Sequence, residues 1–296
     1  MTAKIISGTE VAAEIREELK GRVKKLKDRG VTPALAVVLV GEDPASISYV
    51  TAKAKGSEEI GMHEETIRLP ADTPEAEVLK KVDELNKDPK FHGVLVQLPL
   101  PKHIDTEKVI NFISPEKDVD GFHPVNVGKA LRGEPCPLPC TPHGVQELLV
   151  RSGNDPSGKH VVICGRSNIV GKPLAAILMQ KKKGANATIT ICHTGTKDIG
   201  YFARQADIVV AAMGAPKAIT ADMVRDGAVV IDVGVNRVED KTKEKGFRLV
   251  GDVDFDVIKE KASAITPVPG GVGPMTVTML LMNTVEAAEM KAGITG

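Results

Sequence analysis

Val161-Val162-Ile163-Cys164-Gly165-Arg166-Ser167-Asn168-Ile169-Val170-Gly171-Lys172-Pro173 decides the fold. Its first four residues are apolar without alternation, the pattern of a strand buried on both faces in a parallel sheet. A glycine turn then opens a helix, the context in which exposed backbone N–H groups meet a phosphate. The stretch departs from GxGxxG, because Ser167 takes the second glycine position and Gly171 falls one residue late. On these residues alone a plain strand-to-helix turn stays open as the alternative. The end of the next strand, Thr188 to Cys192, sharpens the reading. Dinucleotide domains that use NAD carry Asp or Glu there for the ribose 2′-hydroxyl. Here His193-Thr194-Gly195-Thr196-Lys197 follows, with no carboxylate before Asp198. Threonine hydroxyls together with Arg166 suit a 2′-phosphate, which a carboxylate would repel, so NADP is predicted over NAD. His193 also reads as an ordinary strand-end histidine.

Outward from this stretch, strand and helix signals alternate. Further strands are predicted over Ile208 to Met213 and Val229 to Val233, at spacings that suit a doubly wound, Rossmann-like domain. Upstream, Ser7 and Glu10 have capping-box spacing before a helical face of Val11, Ile15, Leu19, Val23 and Leu26 that Gly30 ends. Ala34 to Val40 is an unbroken apolar run. Helices from about Ser46 and Pro74 and strands at Thr66 to Leu69 and Gly93 to Leu98 complete a first α/β unit. The Pro-rich piece Gly133 to Pro142 marks a junction. The expected division is 1–140 plus a terminal helix over 276–296 as one domain, and 141–275 as the nucleotide domain.

Composition excludes several classes. The chain has 296 residues, enough for about two domains, and its 39 Lys+Arg balance 39 Asp+Glu. Without a basic field, and with aromatics at only 3% and no Trp, a nucleic-acid partner is not expected. Neither a signal-peptide pattern nor a membrane-length apolar run is present. The 4 cysteines form no disulfide framework, and Cys136 with Cys140 lacks a second Cys/His pair at ligand spacing, so no metal is expected. The reading is a reduced, cytoplasmic protein.

Several features remain that bear on chemistry. Tyr49 and Lys53 lie four apart in a helical stretch, and thus on one face. A tyrosine packed on a lysine stem has the same spacing. Gln97 stands at the carboxyl end of a buried strand, where α/β sheets place ligands, and Leu98 follows it. Lys117-Asp118-Val119-Asp120-Gly121 puts two carboxylates on a turn, where either one serves equally well as a cap. Pro269-Gly270-Gly271-Val272-Gly273-Pro274-Met275-Thr276 is expected to be an irregular loop that delivers backbone to a helix beginning at Thr276.

These blocks together resemble the bifunctional methylenetetrahydrofolate dehydrogenase/methenyltetrahydrofolate cyclohydrolase family over essentially the whole chain. The resemblance rests on Tyr49-x-x-x-Lys53, Val94 to Pro99, Lys117 to Gly121, Gly165 to Pro173, and Pro269 to Thr276. It implies an N-terminal α/β folate-binding catalytic domain, a Rossmann-like NADP domain, and a cleft between them. It also implies oxidation of 5,10-methylenetetrahydrofolate followed by hydrolysis to 10-formyltetrahydrofolate, in the one-carbon metabolism that serves purine biosynthesis, by a homodimer. Carried over residue by residue, Lys53 becomes the acid/base and Gln97 its hydrogen-bonding partner. Tyr49 and Leu98 line the folate, and Asp120 anchors the pterin. Pro269, Gly270, Gly271 and Gly273 allow the loop to approach the folate closely. For NADP the resemblance implies Gly165, Arg166, Ser167, Ile169 and Val170 around the phosphates. Thr194 and Thr196 would lie near the 2′-phosphate and Val235 beside the nicotinamide. Family members commonly have Ser where Thr194 stands, and Ile where Val235 stands.

Overall fold

The computed structural model describes residues 2–243 and 246–294. The chain opens with β1 (Lys4–Ile5) and α1 (Gly8–Lys27). Ser7 Oγ accepts the Glu10 N–H at 3.3 Å, one half of the expected capping box. Next come β2 (Ala34–Val40), α2 (Pro44–Ile60), β3 (His63–Leu69), α3 (Glu75–Lys87), β4 (Gly93–Val96), α4 (Thr106–Phe112), α5 (Pro124–Arg132) and α6 (Cys140–Arg151). Then follow β5 (His160–Cys164), α7 (Gly171–Leu178), β6 (Thr188–Cys192), α8 (Ile199–Ala203), β7 (Ile208–Ala211) and β8 (Val229–Asp232). The last elements are β9 (Asn236–Glu239), β10 (Phe247–Val250), α9 (Phe255–Ile258), β11 (Ala264–Ile265) and α10 (Val272–Lys291).

Two compact units result. One holds the chain up to Ala12 with Thr141–Thr276; the other holds Ala13–Cys140 and the chain from Val277 on. The sequence reading drew its boundary at 140/141 with every earlier residue on one side. Contacts instead group the first residues with the nucleotide unit, because β1 pairs in parallel with β11. Thr9 N also donates to the Gly270 carbonyl at 3.1 Å.

In the Ala13–Cys140 unit a parallel sheet runs β3-β2-β4. All 7 residues of β2 are buried, which is why the sequence shows no alternation there. Val38, Val40, Val78, Val82, Val94 and Val96 share one apolar cluster between sheet and helices. The ladder continues past β4, since Gln97 N donates to the Val38 carbonyl of the central strand β2 at 2.8 Å and so fixes Gln97 at the carboxyl end of β4. On the opposite flank Arg22 of α1 grips Glu289 of α10 through two bonds of 3.0 and 2.6 Å.

The other unit carries a six-stranded sheet in the order β1-β11-β8-β7-β5-β6, with every pairing parallel. From β5 the chain adds β6 on one side and β7 on the other. The strand order therefore reverses at β5, where doubly wound sheets bind ligands at the strand carboxyl ends. The strand β6 lies at one edge of the sheet, and only its last residue, Cys192, is buried. Β9 and β10 form a separate antiparallel ribbon that the sequence reading did not anticipate.

One expectation needs a larger correction. The final helix begins at Val272, so Gly273, Pro274 and Met275 belong to its first turn rather than to a loop reaching Thr276. Proline is tolerated at that point because the first N–H groups of a helix have no intrahelical partner to lose.

Candidate functional site

In the Ala13–Cys140 unit the residues singled out from sequence converge on α2 and the end of β4. Asp43 caps α2 by accepting the Ser46 N–H at 2.8 Å, and Pro44 occupies its first turn. The buried stripe of this helix runs Ser46, Val50, Lys53, Ser57 and Ile60, so a lysine stands where an apolar residue is expected. Lys53 is 8% exposed, whereas Tyr49 one turn earlier is 46% exposed. The pair shares a helix but not an environment.

Lys53 Nζ donates to Gln97 Oε1 at 2.8 Å. Gln97 Nε2 in turn donates to the Leu98 carbonyl at 2.7 Å, so the amide is held with its oxygen toward the lysine. Burial lowers the Lys53 pKa below that of an ordinary lysine, and the nearby Asp120, Cys140 and Glu64 oppose the shift. Burial likewise pushes the half-buried Asp120 up to about 6, against the pull of Lys53. The Cys140 thiol is buried, and burial first and the Asp120 charge second push its pKa well above the usual value; its Sγ donates to the Val119 carbonyl at 3.3 Å. Asn283 of α10 closes this corner, donating to the Val119 and Leu138 carbonyls at 2.8 Å each.

The two carboxylates of the turn separate cleanly. Asp118 is 1% exposed and accepts from Phe122 N, His123 N and the Asn126 side chain at 3.3, 2.8 and 2.9 Å. It is a structural cap, and Asp120 is the residue left facing Lys53. Gly121 allows this turn: its φ is +73°, and a Cβ there would lie 2.6 Å from Pro139 N.

In the other unit, Gly165 follows β5 with φ +142°, and a Cβ on it would lie 2.1 Å from the Ala212 carbonyl oxygen. A Cβ on Gly171 would lie 2.1 Å from the Gly165 oxygen. The turn thus folds onto itself with both glycines required. Ser167 Oγ accepts the Val170 N–H at 3.1 Å, while Val170 gives α7 no side-chain cap. Arg166 is exposed, as is Ile169 at 45%. Because Cys164 pairs with Cys192, the turn after β5 and His193-Thr194 leave adjacent strand ends. Thr196 Oγ1 accepts the His193 N–H at 3.0 Å, and Thr194 is exposed. Val235 is 48% exposed at the entry to β9.

The Pro269–Gly273 segment also lies in this unit. Gly270 has φ +99°, and a Cβ on Gly271 would lie 2.5 Å from the Pro267 oxygen. Gly273 differs, for its missing Cβ would point into open space.

Sequence reasoning missed two buried aspartates that shape these strand ends. Asp252 accepts from the N–H groups of Met213, Gly214 and Ala215 at 2.5, 2.8 and 3.0 Å, and from the Asn236 side chain at 2.8 Å. Asp232 accepts from Gly234, Asp252 and Val253 N–H at 3.0 Å each, and burial raises its pKa to about 6. Their partners are backbone amides, which carry no sequence signature. The one available signal was a carboxylate at each end of a Gly-rich strand exit, Asp232-Val-Gly234 and Gly251-Asp252.

A parallel sheet whose order reverses at a glycine turn in one unit, and a buried lysine held on an amide in the other, define a two-unit α/β nucleotide-dependent enzyme class. Residues 6–120 match the family model "Tetrahydrofolate dehydrogenase/cyclohydrolase, catalytic domain", and residues 139–292 match the corresponding NAD(P)-binding domain. The chain belongs to the tetrahydrofolate dehydrogenase/cyclohydrolase family. It is 58% identical over 294 residues to the bifunctional protein FolD of Syntrophus aciditrophicus, covering 99% of this chain and 100% of that one. Among solved structures it is similar to the Campylobacter jejuni bifunctional FolD enzyme, with TM-score 0.92, 46% identity and coverage of 98% and 99%. It is also similar to the Trypanosoma brucei dehydrogenase-cyclohydrolase complexed with NADP and an inhibitor, with TM-score 0.93, 41% identity and 99% coverage of each chain.

Proposed function

We propose that the chain oxidises 5,10-methylenetetrahydrofolate with NADP and hydrolyses the 5,10-methenyl product to 10-formyltetrahydrofolate. The observation that carries this reading is the buried Lys53 amine held on Gln97 Oε1 at 2.8 Å. NADP, when bound, supplies the hydride acceptor. The residues after β5 fit it: two glycines whose side chains would collide with backbone leave a bare turn, flanked by exposed Arg166 and Thr194 and by Thr196. In this reading Gly165, Arg166, Ser167, Ile169 and Val170 surround the phosphates, Thr194 and Thr196 meet the 2′-phosphate, and Val235 flanks the nicotinamide. Arg166 with two hydroxyls favours NADP over NAD.

For ring opening, water must lose a proton as it attacks the methenyl carbon, and the leaving nitrogen must gain one. A single amine serves both steps if it is neutral at the outset. Burial pushes Lys53 in that direction, and a cationic methenyl substrate pushes it further. The Lys53 amine takes the water proton and then delivers it to the nitrogen as the C–N bond breaks. Gln97 accepts from Lys53 in either protonation state and adds no charge. Asp120, ionised above pH 6, offers a two-pronged acceptor to pterin N–H groups. Exposed Tyr49 and half-buried Leu98 give the folate apolar walls. Gly273 keeps the start of α10 clear of side chain, in keeping with close approach by folate at Pro269–Gly273. In this reading the Ala13–Cys140 unit, with the chain from Val277 on, acts as the catalytic domain, and the unit of Thr141–Thr276 binds NADP. Assembly as a homodimer, a cytoplasmic location and a place in purine biosynthesis complete the reading. Among the described residues no helix is long and apolar enough to cross a membrane.

The test follows absorbance with methylenetetrahydrofolate and NADP or NAD, then cofactor-free hydrolysis of the methenyl compound. Lys53→Met is expected to lower hydrolysis at least about 100-fold, the range of acid–base catalysis, with NADP affinity unchanged. Near-normal ring opening in that variant would remove Lys53 from its role.

A further inference from the structure

A cavity of about 430 Å³ opens in the Ala13–Cys140 unit on the side away from Lys53. Phe91 and His92 form its wall just before β4, whereas Gln97 follows the other end of that strand. Four strand residues at about 3.3 Å each put roughly 13 Å between the two places. The lining is mainly apolar, with Phe91, Met290, Ala287 and the prolines around Cys136. Three lysines, Lys117, Lys129 and Lys291, reach it against a single carboxylate, Glu116.

The polar groups are arranged as an acceptor site in reverse. His92 is 8% exposed, and its Nδ1 accepts the Ala34 N–H at 3.2 Å, which makes it the neutral tautomer with a proton on Nε2. Nε2 has no protein partner among the described residues, and His92 lines the cavity, so this donor is open to an occupant. Lys117 Nζ donates to the Leu85 and Asp88 carbonyls at 2.9 and 2.6 Å, and Lys291 Nζ to Pro89 at 2.7 Å. An ammonium has three donors, so each retains at least one. Burial lowers the pKa of both Lys117 and His92; repulsion from Lys291 adds to it at both, and from Lys117 at His92, a cationic crowding that a bound anion relieves. A volume of this size with an apolar lining and a few convergent donors is what small-ligand sites share.

We propose that this cavity binds a small amphipathic anion, an aryl or medium-chain alkyl acid, with its acid group on Lys291, Lys117 and His92 and its apolar body against Phe91, Ala287 and Met290. The site is separate from the folate and nucleotide sites and does not depend on the assignment of either.

The probe is 8-anilinonaphthalene-1-sulfonate, titrated by fluorescence into the full chain with saturating NADP present to occupy the nucleotide site. One saturable site is expected, displaced by octanoate but not by octanol. Lys291→Glu should weaken the probe at least about tenfold, as loss of a charge-assisted bond does, while Lys291→Arg retains it. Ala287→Met, which fills the cavity without touching charge, should weaken it similarly. Cys136 gives an independent readout, since it lines the cavity and is the one cysteine of the four not classed as buried. Its alkylation by iodoacetamide should slow when octanoate is bound. Absence of a saturable signal, equal displacement by octanol, or unchanged affinity in both Lys291→Glu and Ala287→Met would overturn the proposal.

Discussion

Lys53 and Gln97 pose a question of charge that the amide answers. A carboxylate in place of Gln97 would sit 2.8 Å from the amine and stabilise its protonated form. Gln97→Glu is therefore expected to lower cyclohydrolase kcat/KM at neutral pH by about 10–100-fold, with recovery as pH rises. A pH–rate profile of methenyl hydrolysis checks this, and a profile that stays in place refutes it. Asp120 acts in the opposite sense to burial, since its anion raises the Lys53 pKa. Asp120→Asn removes that anion, so the amine becomes neutral at lower pH. The alkaline-rising limb of the hydrolysis profile should then move to lower pH, while folate KM rises. Much of this was legible in the sequence. Tyr49 and Lys53 stand out by their spacing on one helix and Gln97 by its place at a strand end, whereas Asp120 is set apart from Asp118 only by the family resemblance. Burial does not stand out, because Lys53 reads as a solvated helix residue until the neighbouring face of α2 is seen packed.

The turn between β5 and α7 holds its shape through backbone contact, not side chains. Gly171→Ala would drive a Cβ to 2.1 Å from the Gly165 oxygen, a clash with main chain that no rotamer relieves. The variant is expected to lose at least about 2 kcal/mol in urea unfolding and to weaken NADP binding more than tenfold, with cofactor-free methenyl hydrolysis retained. Loss of both activities in equal measure would point to general unfolding instead. At this scale the buried strands β2, β5, β7 and β8 were readable because they are runs of Val, Ile, Leu and Ala. The start of α10 was not, since Gly273 and Pro274 look like breakers, yet the first helical turn forgives both. The β9–β10 ribbon escaped notice as well. Its half-exposed, charged residues Asn236-Arg237-Val238-Glu239 offer neither an apolar run nor a turn signature.

At the level of the molecule, residues far apart in the chain complete the same sheet. Β1 contributes two residues, Lys4 and Ile5, paired with Ala264 and Ile265, and Ala3 joins the apolar cluster beneath. Removing residues 2–6 should lower the thermal midpoint and weaken NADP binding, while methenyl hydrolysis measured at low temperature persists. A truncated chain with an unchanged midpoint would show that β1 is dispensable. The α/β alternation made the two-unit plan readable, but the attachment of β1 was invisible, because a two-residue strand has no periodicity to detect. A ribosome releases Lys4 and Ile5 first, yet the slot that receives them exists only after residue 265 has emerged. Lys4 and Ile5 therefore stay tethered but undocked through nearly all of synthesis, whereas the edge of β8 waits uncovered only from Asp232 until β11 arrives to bridge them.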